Sequence, residues 1–173
     1  MLLARAGATT VAAASAARWL LLADAAGTVQ ALAERLRARG EPCTVVAHGE
    51  AFALHGDRAT VRADSVDDLR LLVRELGPLR GAVHAWAFDA LAPSASADVL
   101  ADASVALLAQ ALLSTLAPPR LWLVTRAGQQ AGAAEANLRP VQALGWGVAR
   151  AIALEHPELR CVCVDLDAAP AQA

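Results

Sequence analysis

Five short apolar runs recur along the chain, each separated from the next by a segment of helical period. They are WLLLADA from Trp19, CTVVAH from Cys43, AVHAWAFDA from Ala82, RLWLVTR from Arg120 and CVCVDLD from Cys161. Strands of this near-continuous apolar kind must be buried on both faces, and strands that alternate with helices pair in parallel beneath them. The pattern predicts an α/β fold: an about five-stranded parallel sheet with helices on both faces. At 173 residues the chain is expected to form one domain, with roughly 70% of its unfolded surface buried.

The intervening segments carry their own punctuation. TVQALAERLRARG sets Val29, Leu32, Ala33 and Leu36 on one face, turns its arginines outward and stops at Gly40. A second helix opens with Ser65 as N-cap and Asp68 three residues on, an acidic form of the capping box. Asp67 and Asp68 also suit the positive end of the helix, and Gly77 and Pro78 end it. A third helix is predicted over 96–116, with Leu100, Leu107, Ala111 and Leu112 inward and Pro118 and Pro119 as its stop. A fourth begins near Pro140, acceptable at a first helical position, and carries Val141, Leu144, Val148 and Ile152 before Pro157. AFALHGDRATVRA, with a turn at residues 55–58, reads as a small hairpin ahead of the second helix.

Composition removes whole classes of function. Fifteen basic residues stand against seventeen acidic ones with the signs interspersed, so there is no clustered basic face for nucleic acid. No stretch of roughly 18 large apolar residues offers a bilayer span. Cys43, Cys161 and Cys163 sit inside expected strands without framework spacing, where cysteine behaves as a small hydrophobe. A reducing cytoplasmic setting fits them. Residues 1–18 have one early arginine, an Ala/Thr-rich middle and an A-x-A-like site, so a secretory signal is weighed. The weakly apolar middle and the immediate onset of a core strand at Trp19 favour a flexible linker.

The chemistry an open α/β sheet carries is expected at the carboxyl ends of its strands, with a dinucleotide pyrophosphate resting on the turn after the first. Here that turn reads ADAAGTVQ: Gly27 is its one glycine, and Asp24 places a carboxylate where phosphate would lie. All fifteen basic residues are arginine, and there is neither lysine nor tyrosine in the sequence. Hydride-transfer chemistry with a tyrosine acid and a lysine partner is therefore excluded for this chain, as are a phosphate-loop lysine and Schiff-base catalysis. His48, His55, His84 and His156 have no partner at metal-ligand spacing. Cys161 and Cys163 share one strand face and read as packing, and no G-x-S-x-G elbow is present. Asp165 and Asp167 could form paired carboxylates, but solvated strand-end charges are the simpler reading. Trp86, Trp122 and Trp146 read as packing between sheet and helices.

The strings WLLLADAAGTVQALAERLRARGEPC, GAVHAWAFDA, PPRLWLVTRAGQQ and VQALGWGVARAIALEHPELRCVCVDLD resemble the N-terminal structural subdomain of modular (type I) polyketide synthase ketoreductases, over nearly all of residues 19–167. The resemblance implies a truncated Rossmann-like fold of the short-chain dehydrogenase/reductase type. It also implies that residues 1–18 are linker and that 168–173 form a tail leading to a catalytic subdomain outside this sequence. That second half would bind NADPH and reduce a carrier-protein-tethered β-ketoacyl chain, holding the family's glycine-rich loop and its catalytic Ser, Tyr and Lys or Asn. On this alignment residues 124–128 (VTRAG) lie where an active copy ends a strand with its serine. The helix from Pro140 lies where tyrosine and lysine would be, and residues 84–87 (HAWA) stand for an Asn-Ala-Gly-type strand end.

The expectation for this chain is accordingly no catalytic, no cofactor-binding and no metal-binding residue. Its partners would be the catalytic ketoreductase subdomain and other polyketide synthase domains, without nucleic acid or membrane. A free-standing α/β interaction module, a pseudo-ketoreductase, and a small nucleotide-binding oxidoreductase remain as alternatives.

Overall fold

The computed structural model describes residues 17–89, 95–129 and 140–167. The reading of residues 1–16 as linker, the tail at 168–173 and the inward side chains expected at Leu100 and Val141 fall outside the described residues.

The five apolar runs all contribute strands; four of them pair on both edges, and the run from Cys161 forms the edge strand beside the run from Arg120. They are β1 (Arg18–Leu22), β2 (Cys43–His48), β5 (Leu79–His84), β6 (Arg120–Arg126) and β7 (Val162–Leu166), with α1 (Thr28–Ala38), α2 (Val66–Leu76), α3 (Ala95–Leu113) and α4 (Pro140–Glu155) between them. The sheet has seven strands, not about five. The expected hairpin forms as β3 (Ala53–His55) and β4 (Arg58–Val61) around Gly56, which takes a left-handed φ of 62°. It then joins the sheet, β4 pairing parallel to β2 and β3 antiparallel to β4. Strands of three and four residues are too short to show a period in sequence, and only the pairing with β2 recruits them.

The order is β3-β4-β2-β1-β5-β6-β7, so the chain winds outward from β1 to β4, reverses, and winds the other way through β5, β6 and β7. Because strand-helix-strand crossovers are right-handed, the reversal places α1 on one face and α2, α3 and α4 on the other. Strand β1 shows the consequence: Leu20 and Leu22 belong to the core under α2–α4, whereas Leu21 belongs to the smaller core under α1. All three are fully buried. No helix among the described residues is long and apolar enough to cross a membrane.

Two helix faces differ from expectation. On α1, Val29 and Ala33 are buried, but Leu32 is 37% exposed. This helix covers β1 and β2, so Leu32 and Leu36 instead rim a groove floored by Trp19, Val83, Trp122 and Val124. Trp122 thus lies half-buried on the α1 face, under the guanidinium of Arg120, while Trp86 is 1% exposed in the main core. On α4, Leu144 is 59% exposed, and the inward stripe is Gln142, Gly145, Ala149 and Ile152. The periodicity of large apolar residues had pointed to Leu144; Gly145, Ala149 and a satisfied Gln142 face inward beside the expected Ile152 instead, allowing close approach to the sheet. Helix α3 ends at Leu113, before its prolines, because the hydroxyls of Ser114 and Thr115 donate to the carbonyls of Ala111 and Leu112 at 2.6 and 2.7 Å.

The start of α2 is capped as expected on one side only. Ser65 Oγ accepts from the Asp68 amide at 3.1 Å, but the Asp68 carboxylate does not return to Ser65. It accepts from the Arg62 amide at 3.1 Å and from the Arg62 guanidinium at 3.0 and 2.8 Å. Those hydrogen bonds, led by the Arg62 side chain, hold the Asp68 carboxyl down at about 2. A depressed carboxyl stabilises the fold above its unfolded value of 3.8 and loses that contribution as pH falls toward 2. Asp68→Asn is expected to cost about 1.5–3 kcal/mol in urea unfolding at pH 7. The gap to the unsubstituted chain should narrow between pH 4 and pH 2, and a gap independent of pH would exclude the ion pair as its source.

Candidate functional site

The crevice at which strand order reverses lies outside the carboxyl ends of β1 and β5, where ligands bind in open α/β sheets. The turn from β1 into α1 lines it. Gly27 takes φ 85°, a left-handed conformation that glycine adopts without steric cost, and the helix begins at Thr28. Asp24, only 6% exposed, bends back over this start: its Oδ2 accepts from the Thr28 amide at 3.0 Å and its Oδ1 from the Val29 amide at 2.8 Å. Helix-start amides are the groups that hold phosphate in nucleotide-binding folds. In this chain the protein's own carboxylate fills them, at the place the sequence marked as unsuitable for a phosphate.

The opposite wall is built from the ends of β5 and β6. After β5 the chain makes a 3-10 turn over Trp86–Asp89, which buries Phe88. Arg126, the last residue of β6, lays its guanidinium 5.1 Å from the Phe88 ring and donates from Nη2 to Thr28 Oγ1 at 3.1 Å. An arginine side chain thereby ties the β6 end to the start of α1 across the crevice. Nothing in the local sequence announced this contact, since Thr28 and Arg126 are 98 residues apart.

The loop after β6, where the resemblance set the counterpart of a catalytic serine, is held closed by hydrogen bonds. Thr125 is fully buried; its hydroxyl donates to Asp165 Oδ1 at 2.6 Å and accepts from the indole of Trp146 at 2.9 Å. Asp165 also accepts from the amides of Gly128 and Gln129 at 3.1 and 2.9 Å, and the Ala127 amide donates to Leu166 at 2.9 Å. Asp165 is therefore neither half of a carboxylate pair nor a solvated strand-end charge, as the sequence had suggested, because the chain reverses directly over it. Asp167 is exposed. A β-carbon on Gly128 would come within 3.0 Å of Gln142, so the loop rests against α4. Gln142, 1% exposed, accepts from the Arg126 amide and donates to the Ala87 carbonyl, linking α4, β6 and the turn after β5.

The remaining candidates are structural in their surroundings. His84 is fully buried, with Nε2 2.8 Å from Ser104 Oγ, and burial followed by the neighbouring His48 pushes its pKa down to about 3. His48 stacks on Trp86 with ring centroids 3.9 Å apart. His55 lies on the exposed hairpin, and His156 is 3.5 Å from Glu158. Burial, with a smaller contribution from Cys163, raises the Cys161 thiol to about 11, and burial also raises Cys43 and Cys163. These are protonated thiols at neutral pH and poor nucleophiles. Among the described residues no group of three or more His, Cys, Asp or Glu side chains could hold a metal ion.

Reversing winding, a switch-point crevice and a helix start behind β1 define the chain as a Rossmann-like α/β domain. No protein-family model matches it. It is 39% identical over 111 residues to the polyketide synthase GfsA of Streptomyces halstedii, covering 62% of this chain and 1% of that protein. It is 37% identical over 180 residues to the polyketide synthase GfsB of the same organism, covering 94% of this chain and 3% of that one. Among solved structures, A-type ketoreductases from a modular polyketide synthase superpose with a TM-score of 0.61 at 26% identity, over 88% of this chain and 31% of theirs. The chain is thus similar to ketoreductase-like parts of polyketide synthases, and it spans 1% and 3% of the length of the two curated relatives it matches.

Two substitutions test the site as built. Asp24→Ala strips the acceptor from two helix-start amides and is expected to lower unfolding stability by about 1–2 kcal/mol, with Asp24→Asn retaining part of it; equal losses for both would point away from capping. For His84 the sign is the same as for Asp68, in a higher pH window. Its folded pKa lies below the ordinary 6.5, so its neutral form supports the fold fully above 6.5 and loses that support as pH falls toward 3. Stability should decline by up to about 1.4 kcal/mol per pH unit in that window. His84→Asn should remove this slope, and an unchanged pH profile would exclude His84 as its origin.

Proposed function

We propose that this chain is a non-catalytic structural subdomain that supports an NADPH-dependent ketoreductase, which reduces carrier-protein-tethered β-ketoacyl chains in polyketide biosynthesis. The observation that carries the reading is the Asp24 carboxylate on the first amides of α1. A dinucleotide pyrophosphate would have to displace a buried, covalently tethered anion and then lie beside it, and like charges at that distance repel. The residues present do not fit NADPH. The missing tyrosine and lysine agree, since neither the proton donor nor its partner can come from these 173 residues. Both the cofactor and the reacting ketone are assigned to a separate catalytic half.

The support such a half needs is a rigid, apolar surface. The outward side of α4 offers Leu144, Gly147, Ala151 and Leu154, all exposed, with the two leucines 59% and 83% exposed and small residues between them. Small residues between large apolar ones let a second helix approach closely. This stripe is assigned to docking on the catalytic half, within a cytoplasmic assembly with the other polyketide synthase domains.

The test is a calorimetric and thermal-unfolding titration of the chain with NADPH, alone and mixed with a separately expressed ketoreductase catalytic half. NADPH alone should give no heat and no shift. A cofactor present at one hundred times its dissociation constant would add about 2.7 kcal/mol, so binding in the micromolar range is readily seen and would overturn the reading. The catalytic half should stabilise the chain, and Leu144→Glu with Leu154→Glu should abolish that effect without changing the secondary structure.

A further inference from the structure

We draw no further inference here: the strongest candidate, the apolar groove between α2 and the turn after α3, lined by Leu71, Pro78, Leu79 and Pro119 with Leu116 fully exposed on its lip, carries nothing because nothing in the structure shows what covers it.

Discussion

Strand β1 lies between β2 and β5 at the middle of the sheet, and Leu20, Leu21 and Leu22 are each fully buried between two layers. Burying three leucines contributes on the order of 1.5–3 kcal/mol each, and the backbone between them finds its hydrogen bonds only in the neighbouring strands. Pairing on both sides is therefore obligatory; here it is parallel on both, and parallel pairing demands crossovers. The two core clusters, the single helix on one face and the three on the other all follow from keeping this strand dry on both sides.

The same strand sets where the chain's polar groups gather, because every parallel strand points its carboxyl end to one edge. At that edge the polar groups of this protein bond one another. Asp24 occupies the amides of α1, Arg126 reaches from β6 to Thr28, Asp165 holds the loop after β6, and Gln142 joins α4 to both neighbouring loops. Each of these polar groups bonds another part of the chain, which ties the edge together.

The elements legible in the sequence were those with local causes. Apolar runs marked five strands, Ser65 marked the start of α2, and Pro140 marked the start of α4. The carboxylate and the single glycine of the first turn were legible as Asp24 and Gly27, whereas the bonds of Asp24 to the α1 amides appear in the structure alone. The two short strands beyond β2 were visible only as a hairpin, since their membership of the sheet depends on a partner edge. The inward face of α4 was misread because apolar periodicity weighs Leu144 above Gln142, whereas burial follows which side chain finds partners. Gln142 finds two, on segments 16 and 55 residues away. The loss of the acidic return bond at Ser65 has the same origin, since Arg62 competes for Asp68 with a charge.

By itself the sequence determined the class of fold, the positions of the helices and the absence of tyrosine and lysine. These follow from side-chain hydrophobicity at short spacing and from composition, neither of which needs a partner in space. The tertiary structure alone decided that Asp165 is a latch, that Arg126 bridges the crevice and that α4 turns its leucines outward. Each depends on groups far apart in the sequence meeting in space, so no local spacing carries it.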